Sequence, residues 1–154
     1  MKKRQIIDNV EITDVAAEGK SLFRYEERVV FVTGAVPGDI VDVEIHRKRS
    51  SYWEGVVIRL VKPSPIRIEP RCSFFGLCGG CKWQNLPYEE QLKYKQREVV
   101  SNLTRLGHLV LPKEETICAS EKQFEYRNKL EYTFSNRRWL TGEEVGENRH
   151  RLEQ

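Results

Sequence analysis

Five strand-like runs crowd into residues 4–62, each closed by a turn signal, and this crowding limits the fold more than any other feature. The first carries Val10, Ile12 and Val15 and ends at Gly19-Lys20; Leu22-Phe23-Arg24-Tyr25 begins the second. Arg28-Val29-Val30-Phe31-Val32 is β-branched and aromatic throughout, and Gly34 and Pro37-Gly38-Asp39 turn the chain after it. Ile40 to His46 alternates strictly, so Val41, Val43 and Ile45 share one face while Asp42, Glu44 and His46 share the other. Tyr52 to about Val61 alternates as well. Five such short strands cannot cover both faces of an open sheet, and a small closed barrel of the OB type is the economical solution. Side chains fill the interior of so small a barrel, which leaves its outer face and its loops for function.

Lys62-Pro63-Ser64-Pro65, with Pro70 beyond, reads as a stiff, extended exit from the barrel. A cysteine-rich segment over 72–85 follows, and then a helix: Pro87 suits its first turn, Glu89 and Glu90 suit its positive end, and Leu92, Val99, Leu103 and Leu106 recur at helical spacing before Gly107. From about residue 115 the pattern is strand-like again, most clearly in Lys129 to Phe134, and residues 142–154 lack an apolar face and read as a loop or frayed end. A helix and one or two strands do not close a domain. The expected class is thus mainly β with an α+β tail: a five-stranded barrel, a cysteine loop, a helix and the start of an incomplete α+β domain.

Cys72, Cys78 and Cys81 fall within ten residues, in Cys72-Ser-Phe-Phe-Gly-Leu-Cys78-Gly-Gly-Cys81, while Cys118 stands apart. A secreted disulfide scaffold spreads its cysteines along the chain, and the start Met1-Lys2-Lys3-Arg4-Gln5 leads into a strand without a signal-peptide core. A cytoplasmic, reducing setting is expected. Glycines between the second and third cysteines let the backbone fold tightly enough for thiolates to converge on one centre, either zinc or iron–sulfur. Zinc sites usually pair two short knuckles, whereas one gap here is five residues and the other two, which favours iron–sulfur. Packed, reduced thiols and a redox dithiol remain the alternatives. Phe74, Phe75 and Trp83 are placed to shield such a centre, and Cys118 reads as an ordinary half-buried cysteine.

A net charge of +3 permits a nucleic-acid partner without demanding one, so local clusters must carry that case. Arg47-Lys48-Arg49, followed by Ser50-Ser51-Tyr52-Trp53, places three cations beside two rings in a loop between strands. Phosphates are attracted to such cations, and a base can stack on Tyr52 or Trp53. A solvated turn with its rings in the barrel is the competing reading. Lys20 and Arg24 lie in a neighbouring turn and could extend the patch, and Arg137-Arg138-Trp139 forms a weaker basic–aromatic site. No apolar run reaches the ~18 residues of a membrane span.

Several of these residues resemble a known family. Val10-Glu11-Ile12, Ala17-Glu18-Gly19-Lys20-Ser21, Val30 to Asp39 and Val41-Asp42-Val43 look like a TRAM domain, an OB-like RNA-binding module. Cys72 to Cys81 with Gln84, Tyr88, Gln91-Leu92 and Lys95 resembles the iron–sulfur members of the RNA uracil-5-methyltransferases that act on 23S ribosomal RNA. Tyr126-Arg127-Asn128-Lys129-Leu130-Glu131 is similar to the motif that opens that family's central RNA-binding domain. The resemblance spans about residues 8 to 139.

It implies a TRAM barrel over 1–64, a cluster segment over 65–86 and a partial central domain over 87–154. It further implies Cys72, Cys78 and Cys81 as ligands of a 4Fe-4S cluster, with the family's fourth cysteine downstream of the Tyr-Arg-Asn-Lys strand and so not matched by Cys118. Arg127, Asn128 and Lys129 join the hairpin cations as expected contacts to RNA, with neither DNA nor a membrane as partner. S-adenosylmethionine and the catalytic residues belong to a domain not matched here, so this chain alone is expected to be inactive. The alternative is a stand-alone metal-binding RNA adaptor whose fourth ligand is His108 or Cys118.

Overall fold

The computed structural model describes residues 5–126, 129 and 134–138. Six strands follow one another through the first half: β1 (Gln5–Glu11), β2 (Asp14–Val15), β3 (Ser21–Tyr25), β4 (Arg28–Thr33), β5 (Ile40–Lys48) and β6 (Tyr52–Lys62). They form one sheet in the order β1-β5-β6-β4-β3-β2, antiparallel at every pairing except β4 with β6. The two ends of that order are consecutive in the chain. β1 and β2 are halves of the single first strand expected from the sequence, bent at Ile12-Thr13, and the bend brings the sheet round on itself as a small barrel.

Backbone hydrogen bonds hold the bend from both sides. Ile12 N–H donates to Asp39 O at 2.9 Å and Gly38 N–H to Ile12 O at 2.7 Å, while Thr13 N–H donates to Leu22 O at 3.0 Å. Ile12 itself is only 1 % exposed, so the corner is filled as it is made. Inside lie Ile7, Phe23, Val30, Val32, Ala35, Val41, Val43, Ile45 and Trp53. The alternation in β4 and β5 therefore selects the core as the sequence indicates.

Asp42 is the exception to that alternation. It sits on the outer side yet is 4 % exposed, because it accepts Asn9 N–H at 2.8 Å and the Arg59 Nε–H at 2.6 Å. The Asn9 N–H first, and Arg59 second, hold its carboxyl below the usual carboxylate value. A carboxylate depressed on folding adds stability above its unfolded pKa and loses it as pH falls through the folded one. The stability gap between the native chain and Asp42→Asn should thus be widest near neutrality and shrink below about pH 4. Urea titrations from pH 7 to pH 2 would check this; a constant gap contradicts it.

The exit from the barrel is anchored by one buried carboxylate. Asp39, 0 % exposed, accepts Val36 N–H at 2.7 Å, Ser64 N–H at 2.9 Å and two Arg67 donors at 3.1 and 2.7 Å. Gly38 (φ 85°) lies so close that a Cβ there would come within 2.7 Å of Ser64 Oγ. Downstream, Ile68 N–H donates to Asn85 O at 3.1 Å, and the Gln91 amide donates to Trp83 O and Leu86 O at 2.9 and 2.8 Å, joining that turn to helix α1 (Tyr88–Ser101). Residues 1–119 form one compact unit and 120–154 a second.

Helix α1 starts at Tyr88, with Pro87 as its N-cap and not in its first turn, and runs into a π-helical turn over Asn102–Leu106, closed by Gly107 N–H to Asn102 O at 2.9 Å. It buries none of its residues; Val99, Leu103 and Leu106 lie open. The strand-like reading from residue 115 is not realised over residues 115–126, where the Gln96 amide instead bonds Glu115 O and Ile117 N–H at 3.1 and 2.9 Å. Most of Lys129 to Phe134, and all of 142–154, lie outside the described residues.

Candidate functional site

The basic loop is the β5–β6 hairpin, closed where Arg49 N–H donates to Tyr52 O at 2.8 Å. Its geometry depends on a bulge. Ile45 pairs with Gly55, but Arg47 pairs with Glu54 and Lys48 with Trp53, so one extra residue lies between Ile45 and Arg47. Without the bulge Arg47 would follow Ile45 to the inner side. With it, Arg47 reaches the outer face and Lys48 the end of the core.

These two cations are accordingly engaged. Arg47 lies 3.3 Å from Glu54, whose other oxygen is 3.7 Å from Lys20. Lys48 Nζ stands 4.2 Å from the centre of the Trp53 ring and donates to Gln5 Oε1. Arg49 is exposed and makes no ion pair among the described residues. Tyr52 is half-buried on the outer face, 5.6 Å from Phe31 in an edge-to-face pair with the planes 68° apart.

Of the two rings offered for stacking, Trp53 faces the barrel interior. It is 9 % exposed, packs on Tyr25 at 5.9 Å, and carries Lys48 and, at 5.5 Å, Arg28 over its ring. The ring is thus turned into the core, with two cations standing over it. Phe31, read from the sequence only as part of a β-branched and aromatic run, stands outside next to Tyr52. The signal was present: it alternates with Val30 and Val32, which are 0 % and 1 % exposed.

Arg127 and Asn128 lie outside the described residues; Lys129 is exposed. Arg137 and Arg138 are exposed too, and Trp139 lies outside the described residues.

The cysteine segment is a chain of turns, with Phe75 N–H bonded to Cys72 O and Cys78 N–H to Phe74 O at 3.0 and 3.1 Å. All four cysteines are free thiols; Cys72 is half-buried, and Cys78, Cys81 and Cys118 are exposed. Cys118 is therefore more open than the half-buried residue expected. Gln84 links the first and third cysteines of the loop, accepting Cys72 N–H at 3.1 Å and donating to Cys81 Sγ at 3.2 Å. Gly76 and Gly79 take left-handed backbone (φ 82° and 71°) with open space around them. Among the described residues no group of three or more His, Cys, Asp or Glu side chains gathers around one point. The loop thus offers the soft donors a metal centre needs, on turns with open space around Gly76 and Gly79, without holding them converged.

The loop is fastened to the barrel at Gly19 (φ 72°), where a Cβ would meet Lys82 Cβ at 2.7 Å and Trp83 Nε1 at 2.9 Å. Trp83 consequently packs on the β2–β3 loop. Among the described residues no helix is long and apolar enough to cross a membrane.

Residues 5–58 match the TRAM domain family model. The chain is 50 % identical over 131 residues to a protein of Bacteroides thetaiotaomicron named "uncharacterized RNA methyltransferase", covering 85 % of this chain and 29 % of that protein. A protein of the same name from Porphyromonas gingivalis is 48 % identical over 138 residues, covering 90 % and 30 %. One from Chlorobaculum tepidum, also named an uncharacterized RNA methyltransferase, is 38 % identical over 146 residues, covering 94 % and 30 %. The chain spans about 30 % of the length of these curated relatives.

Proposed function

We propose, on the premise that this chain is a TRAM-domain homologue of proteins named RNA methyltransferases, that it is the RNA-gripping part of an S-adenosylmethionine-dependent enzyme methylating uracil C5 in 23S ribosomal RNA, working in the cytoplasm. The observation that carries this reading is the hairpin at the rim of the TRAM barrel, where Arg47, Lys48 and Arg49 lie beside the outward ring of Tyr52. Cations there neutralise phosphates and release their counterions, and a ring beside them accepts a base. The methyl transfer itself belongs, on this reading, to parts of the relatives that the chain does not span.

Binding of a labelled ribosomal RNA fragment should weaken as salt rises. Changing Arg47, Lys48 and Arg49 together to Ala should flatten the plot of log affinity against log salt by up to about two, at ~0.7 per lost phosphate contact to a single strand. Arg49→Ala alone should carry the largest single share of that change, because Arg47 is paired to Glu54 and Lys48 lies over Trp53. An unaltered slope in the triple variant would remove the hairpin from the interface.

Cys72, Cys78 and Cys81 would hold a 4Fe-4S cluster, with Gln84 bonded to the first and third of them. Such a cluster would cross-link the loop and fix the junction between barrel and helix. Anaerobically purified protein should then be coloured and contain iron, as expected of a thiolate-bound iron–sulfur centre. Replacing the three cysteines by Ser should abolish colour and iron together. A colourless protein holding zinc, or no metal at all, would sink the cluster.

A further inference from the structure

We infer that the outer face of β3, β4 and β6 seats unpaired nucleotides of an RNA strand, with Phe31 and Tyr52 as the stacking platform and Arg24 and Arg49 as phosphate contacts at its rim. This rests on the RNA-binding reading above and goes further by naming a surface and a class of RNA.

Strand register assembles the platform. One row across the sheet runs Leu22, Phe31, Glu54, Arg47, and the next runs Arg24, Val29, Tyr52. Phe31 and Tyr52 are thus diagonal neighbours on parallel strands, and their 68° edge-to-face contact turns the two rings at an angle to each other. Both are half-buried, which fixes the rings from below while leaving part of each open. Leu22 beside Phe31 and Val29 beside Tyr52 extend the floor.

Charge around the platform is unbalanced in a useful direction. Glu54 is held between Lys20 and Arg47, Glu18 pairs with Lys20 at 3.6 Å, and Glu26 pairs with Arg28 at 3.6 Å. Arg24 and Arg49 are exposed and make no ion pair among the described residues, two cations against the exposed carboxylate of Glu27 in the β3–β4 turn. Positive charge is left on either side of a small apolar, aromatic floor. A protein partner for such a floor would be expected to bring apolar side chains and acidic groups; a nucleic acid strand brings rings and phosphates, which match the rings and the free guanidiniums together. Bases can reach the rings only where they are not already stacked in a duplex, so the strand must be single.

The test uses this chain, a fluorescent 12-nucleotide unpaired RNA and a hairpin of the same composition, read by anisotropy. Phe31→Leu and Tyr52→Leu keep an apolar cover and remove the ring; each should weaken the unpaired RNA about ten-fold without altering the salt slope or the melting temperature. Arg24→Ala should instead lower the slope by about 0.7. The unpaired strand should bind more tightly than the hairpin. If the unchanged chain binds the strand while Phe31→Leu and Tyr52→Leu bind it equally well, or if the hairpin is preferred, the platform is not the site and the face serves another partner. If the unchanged chain binds neither RNA at low salt, the RNA-binding reading itself falls, and this inference with it.

Discussion

Replacing Asp39 by alanine is expected to cost about 3–5 kcal/mol of stability, since it removes one partner of a buried charge pair and leaves the other without its counter-ion. The carboxylate is fully buried and satisfies Val36 N–H and Ser64 N–H besides Arg67. Its loss would orphan two buried backbone donors and part of a guanidinium whose other acceptor among the described residues is Gly34 O at 3.1 Å. Asp39→Asn keeps the shape and some acceptor capacity, so it should cost less. Urea midpoints for the two variants would measure the difference, and a loss below about 1 kcal/mol for Asp39→Ala would show that the clamp is dispensable. The consequence reaches the cysteine loop. Ser64 and Arg67 lead directly into Ile68, which bonds Asn85 beside the loop's far end. Amide exchange in 64–68 and 83–86 should therefore accelerate in Asp39→Ala beyond what global destabilisation alone produces.

The same residue shows how far sequence reasoning reaches. Pro37-Gly38-Asp39 is legible as a turn from its residue types, because proline fixes φ and glycine accepts the left-handed backbone found there. That the turn's aspartate would be the anchor for Arg67, 28 positions later, is not local information. Strand existence and inward faces were likewise legible, since Val41, Val43 and Ile45 alternate without interruption and their burial follows. The break at Ile12-Thr13 was not, because a strand that bends to pair with β5 on one side and β3 on the other keeps its composition through the corner.

The candidate site divides in the same way. Cys72, Cys78 and Cys81 are conspicuous by spacing, and nothing in spacing tells how nearly their sulfurs converge. The basic triplet was equally conspicuous, but the fate of each cation was decided by one extra residue in a β-ladder. A period-two pattern assigns faces correctly only until a bulge, and the bulge between Ile45 and Arg47 carries no glycine to announce it. Beyond it Arg47 faces outward to Glu54, and Lys48 lies over Trp53. Read as an undivided cluster, the hairpin does not tell the engaged Arg47 and Lys48 from Arg49, nor the outward Tyr52 from the inward Trp53.

Trp53 gives the second large effect and separates these readings. Trp53→Ala removes the largest side chain of the barrel interior together with its contact to Tyr25, and should cost about 3–5 kcal/mol. Lys48 and Arg28 would lose the ring face they now cover, adding to the loss. Weakened RNA binding in that variant would report the damaged barrel rather than a missing contact. Trp53→Phe makes the distinction, because it keeps an aromatic ring in the core and sacrifices only part of the volume. Its stability should fall by about 1–2 kcal/mol, well short of the alanine variant, and its affinity for unpaired RNA should stay within two-fold. Denaturant titration and anisotropy on the same preparation would measure both. If Trp53→Phe remained as stable as the native chain yet lost RNA affinity ten-fold, Trp53 would be a base contact after all, and the core position seen here would have to open when RNA binds.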